Sequence, residues 1–143
     1  MAYCTIDDIR NQLDESKLIQ LTDDEGTGTV DAARVERAIE DAGEEIDTHV
    51  GARYAVPLDP VPPMLRKAAV DIAVYNLYGR RENVPEMRVE RYRNALRFLD
   101  QVSGGRLSLG RRDPEGNPPE ADAPCMSGEN PRRAFTRNTL TGF

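Results

Sequence analysis

Histidine occurs once in these 143 residues and cysteine twice, as Cys4 and Cys125. So few soft ligands, so far apart, exclude a closed zinc site of the usual kind. In a reducing compartment the two cysteines read as free thiols. No apolar run approaches the ~20 residues that a bilayer demands. The start, Met1-Ala2-Tyr3-Cys4-Thr5-Ile6-Asp7-Asp8, has neither the basic opening nor the apolar stretch of a signal peptide, so we expect a soluble chain made in the cytoplasm. Core-forming residues are scarce as well. Leu, Ile, Val and Phe together number 30 of 143, close to the fraction below which chains remain disordered.

That thin supply is uneven. Residues 1–104 hold 25 of the 30, whereas 105–143 hold only Leu107, Leu109, Phe135, Leu140 and Phe143, along with five prolines and five glycines. Two parts are therefore expected: a helical domain over 1–104 and an extended, Pro/Gly-rich docking tail over 105–143. A stretch so poor in apolar side chains becomes ordered only by lying on a foreign surface.

The spacing of apolar residues predicts an all-α fold, a small bundle of about four main helices. The first is broken, over about 6–21: Thr5 caps a turn carrying Asp7 and Asp8, Ile6, Ile9 and Leu13 share a face, and Leu18 and Leu21 point inward from a second piece. Asp31 caps the next helix, about 32–52, where Val35, Ala38, Ile39, Ala42, Ile46 and Val50 recur at spacings of three and four. Prolines 57, 60, 62 and 63 forbid its extension and predict an extended linker from Tyr54 to Pro62. Pro63 then suits a first turn. The helix over 63–79 is apolar on nearly every side, which makes it the central one. The last, about 86–103, turns Val89, Tyr92, Leu96, Leu99 and Val102 inward and stops at Gly104-Gly105.

Chemistry-bearing constellations are few. The loop Asp23-Asp24-Glu25-Gly26-Thr27-Gly28-Thr29-Val30-Asp31 partly fits a twelve-residue calcium loop: Asp23, Glu25, Thr27 and Asp31 fall at oxygen-ligand positions and Gly28 at the sharp turn. Its twelfth position is Arg34, where a bidentate glutamate should close the cage, so an acidic capped turn is the better reading. His49 has no nucleophile tied to it. Asp71, inside the apolar helix, has Lys67 one turn earlier and reads as half of an internal ion pair. Gly26-Thr27-Gly28 lacks the strand, helix and lysine of a phosphate loop. No enzyme and no cofactor are expected.

Charge carries more information. The net charge of −6 divides into −10 over residues 1–50 and +4 over 51–143. An acidic front and an arginine-rich back suit a protein that meets copies of itself or another protein head to tail, although two solvated faces account for the gradient equally well. The inter-subunit candidates are Glu40, Glu44 and Glu45 against Arg80, Arg81, Arg88 and Arg91. No aromatic side chains are interleaved with the arginines, and the chain is acidic overall, which argues against specific DNA binding. Towards position 143, Arg132, Arg133, Phe135, Arg137, Leu140 and Phe143 lie along a β-permissive run suited to adding a strand or filling a groove on a partner.

Several strings, in order, resemble the head–tail adaptor (connector) proteins of Mu-like phages and prophages. They are Tyr3-Cys4-Thr5, Leu18-Ile19-Gln20-Leu21-Thr22-Asp23, the Gly-rich acidic loop, Glu45-Ile46-Asp47, Arg53-Tyr54 with Pro57-Leu58, Pro62-Pro63, Asp71-Ile72-Ala73 with Leu77-Tyr78, and Phe135 through Phe143. The resemblance implies a helical virion protein without catalytic residues. Such a protein forms a ring, of twelve copies, beneath the portal protein in the virion neck and joins it to the next neck protein, a stopper or tail terminator. Double-stranded DNA would pass through the lumen unbound, past a partly acidic wall. A calcium-responsive helix–loop–helix binding module is the alternative from another class.

Overall fold

The computed structural model describes residues 2–81 and 83–110. Five helices follow one another: α1 (Ile6–Arg10), α2 (Glu15–Thr22), α3 (Ala32–Val50), α4 (Pro63–Gly79) and α5 (Glu86–Ser103), with no strand among the described residues. The expected all-α bundle is what forms.

Local chemistry sets the boundaries. Thr5 and Asp8 make a reciprocal capping box at the start of α1, satisfying two amides that a helix start leaves bare. The Asp31 side chain accepts from the Arg34 amide at the start of α3, and Pro63 opens α4. Gly105, at φ +75°, takes the left-handed conformation just past α5, a region that β-carbons disfavour.

Helix α4 is central. It packs along both α3 and α5, and α1 and α2 lie against it from the other end of the chain. Leu65, Ala69, Ile72, Ala73 and Val74 are wholly buried, facing Val35, Ile46 and Val50 of α3 and Leu99 and Val102 of α5 within one core. Interhelical bonds add direction. Tyr92 on α5 stacks on Tyr75 of α4, with ring centroids 4.0 Å apart and planes 6° from parallel, and its hydroxyl donates to Glu45 of α3 at 2.8 Å. Buried Thr22 donates to Leu18 O and accepts from the Asp31 amide, which fastens the end of α2 to the start of α3.

Two local expectations change. The face shared by Ile6, Ile9 and Leu13 outlasts the first helical piece, which stops at Arg10, although Leu13 is still buried. The linker from Tyr54 to Pro62 bends instead of running extended, with cis Val56–Pro57 and Asp59–Pro60 bonds. Its turns bring Tyr54 and Leu58 into the core. The Tyr3 hydroxyl accepts from the Leu58 amide at 3.3 Å and donates to Asp47.

Candidate assembly surface

The acidic loop between α2 and α3 is an electrostatic knot. Asp23 turns back on its own loop, accepting from the Thr27 amide at 3.0 Å and the Gly28 amide at 2.7 Å. Those two bonds hold its carboxyl below the usual carboxylate range. Asp24 draws in three guanidiniums: Arg34, Arg80 at 2.6 Å and Arg81 at 2.8 Å. Loss of water around it would by itself raise its proton affinity, but the Arg80 hydrogen bond and the Arg34 charge overcome that and hold the carboxyl low. Arg34 also binds Asp31 through Nε at 2.7 Å. Of the calcium-loop candidates, Asp23 and Asp31 thus spend lone pairs on N–H donors, where an ion would require them as ligands. Thr27 bonds Asp23, and Glu25 lies exposed.

The other arginines named from the sequence are also engaged within the chain. Arg88 donates to Gln12 Oε1 and O at 3.3 Å, and Arg91 to Gln12 Oε1 at 3.2 Å, which ties α5 to the α1–α2 turn. Glu45 takes the Tyr92 hydroxyl, and burial together with that carboxylate pushes the phenol up to about 12. His49 Nδ1 lies 3.2 Å from Asp100 Oδ1 on α5. Glu40 and Glu44 stand exposed on α3. Arg132, Arg133, Phe135, Arg137, Leu140 and Phe143 lie outside the described residues.

Asp71 departs from its expected partner. Its side chain, 8% exposed, faces Arg91 on α5 at 3.8 Å rather than Lys67. Helix packing, a long-range fact, brings the guanidinium there. Asp71 Oδ1 is buried without a hydrogen-bond partner, and such an atom is costly to leave unmet. The residue lines an open groove of about 340 Å³ between α4 and α5, together with Met64, Lys67, Arg91, Asn94 and Phe98 among others. Met64 is 56% exposed at its edge. Sequence reading passed over this groove because Met64 and Phe98 look like ordinary core positions; the one available signal was a carboxylate within an otherwise apolar helix. Cys4 is a buried free thiol, pushed up to about 12 by burial and then by the charge of Asp8.

Among the described residues there is no cluster of three or more His, Cys, Asp or Glu side chains placed to hold a metal ion, and no helix long and apolar enough to cross a membrane. What the domain presents is a charged exterior over a closed core. The family model described as Bacteriophage Mu, Gp36 matches residues 3–127. The chain belongs to this family. It is 34% identical over 115 residues to the Mu-like prophage FluMu protein gp36 of Haemophilus influenzae, covering 80% of this chain and 79% of that protein. It is 31% identical over 123 residues to gene product J of Escherichia phage Mu, covering 85% and 86%. The Gp36 match spans the whole described bundle, so helices, acidic loop and groove all lie inside the shared region.

Proposed function

We propose that this Gp36-family chain is a structural virion protein, a head–tail adaptor. Copies of it, twelve in the ring, sit beneath the portal protein and join it to the next neck protein, a stopper or tail terminator. The observation that carries this reading is a sorted surface on a rigid core. The α3 exterior is acidic, whereas the α4–α5 groove is apolar and cationic at its rim. Two different faces suit heterologous contacts, which close into rings, and a thin core gains from subunit support. An acidic wall towards the lumen would let DNA slide past without sticking. The arginine- and phenylalanine-bearing segment from 132 to 143 supplies the clasp onto the portal or an adjacent copy, by strand addition or groove filling.

Deleting residues 111–143 tests the reading. The truncated chain is expected to remain helical and cooperative in melting while particles accumulate as separate heads and tails. Normal yields of infectious particles from that truncation would contradict it.

A further inference from the structure

Two surfaces of the domain carry charge patterns of opposite sense. On α3, Glu36, Glu40 and Glu44 recur every four residues and so form one stripe, with Asp41 beside it and Arg37 in their midst. All five are exposed, and none makes an ion pair or side-chain hydrogen bond among the described residues. The pattern is one cation among four anions.

The α4–α5 groove carries the inverse pattern. One carboxylate, Asp71, lies between two cations, Lys67 and Arg91, beside Met64 and Phe98. Asp71 is more than nine-tenths buried, and its Oδ1 lacks a donor. The two surfaces also face apart. On α4, residues 64, 67, 68 and 71 line this groove, whereas 76, 77 and 80 line the cleft shared with Arg37 and Asp41 of α3. With 3.6 residues per turn, those two sets point to roughly opposite sides of the helix.

We propose that these surfaces are the two halves of the contact between neighbouring copies. The exposed face of α3 in one copy lies along the α4–α5 groove of the next. Its carboxylates meet Lys67 and Arg91, and Arg37 comes to lie over Asp71, between the two cations. This rests on the adaptor reading, and it names the surfaces that would build the ring. The alternation of sign also sets register. A slip that moves Arg37 off Asp71 brings it towards Lys67 or Arg91, and like charges exclude that arrangement. Since the two faces differ, each copy offers one and accepts one, as a closed ring requires.

A charge exchange tests the contact. The phage or prophage encoding this chain, with its own gene deleted, is supplied with full-length variants, and head–tail-joined particles are counted by electron microscopy. Circular dichroism checks that each variant folds. The pair Glu40→Lys with Glu44→Lys should lower joined particles by at least about tenfold, as should Lys67→Glu alone, because each sets like charges face to face. Arg37→Gln should lower them as well. Combining Glu40→Lys, Glu44→Lys and Lys67→Glu in one chain should restore joining, since opposite signs face each other again. Normal joining by the single-face variants, or a combination no better than either, would overturn the contact. The adaptor reading fails separately, if the wild-type chain is missing from purified necks.

Discussion

Replacing Ile72 and Met64 by alanine, in separate variants, probes both the core and the open groove on a single helix. Both side chains belong to α4, yet Ile72 is wholly buried and Met64 is 56% exposed. Truncating a fully buried isoleucine costs the transfer of its methyl groups plus the cavity left behind, about 3 kcal/mol within a range of roughly 2–5. For a domain of this size that lowers Tm by roughly 12–24 °C, at about 4–8 °C per kcal/mol. It is a large share of the 5–15 kcal/mol that holds an ordinary domain together. Met64→Ala deletes a side chain that mainly meets water and should change stability by less than about 0.5 kcal/mol. The assay is thermal melting of both purified variants beside the wild type, followed by circular dichroism. Equal, large losses would refute the reasoning, because Met64 would then be covered in the isolated chain and the groove would not be open. A small loss at Ile72 would refute the central place of α4.

Other consequences are as specific. Asp24→Asn should lower Tm while preserving helicity, since Arg34, Arg80 and Arg81 then face one another without their common carboxylate. Asp23 and Asp24 are held low in the folded chain, so their stabilisation is complete above the ordinary carboxylate range near pH 4. It is lost as pH falls through their lowered values; Tm should therefore be flat near neutrality and decline in acid, less steeply in Asp24→Asn. Tyr92→Phe should cost about 1 kcal/mol by chemical denaturation, the worth of one hydrogen bond, because ring stacking on Tyr75 survives. In wild type, spectrophotometric titration should find a tyrosine ionising at about 12.

Much of this fold was legible because its signals are local. The helices at 63–79 and 86–103 fall where proline openings, apolar spacing and the Gly104-Gly105 stop placed them. Capping by Thr5 and Asp31 was equally readable. The bend at Tyr54–Pro62 was not, since proline limits a backbone without saying which way it folds, and burial of Tyr54 and Leu58 is decided by distant neighbours. The same holds for charges. Sequence proximity offered Lys67 to Asp71, but helix packing delivered Arg91. Arg80 and Arg81 stood out as inter-subunit candidates, while their meeting with Asp24, more than fifty residues earlier, depends on the whole bundle. The groove was invisible because it belongs to neither helix alone.

The most direct test is an image of the intact phage neck at a resolution that traces helices. The adaptor account predicts a ring of copies of this bundle between portal and tail, each laying α3 along the α4–α5 groove of the next. A neck lacking the chain, or holding it as a lone copy away from that junction, would contradict the account.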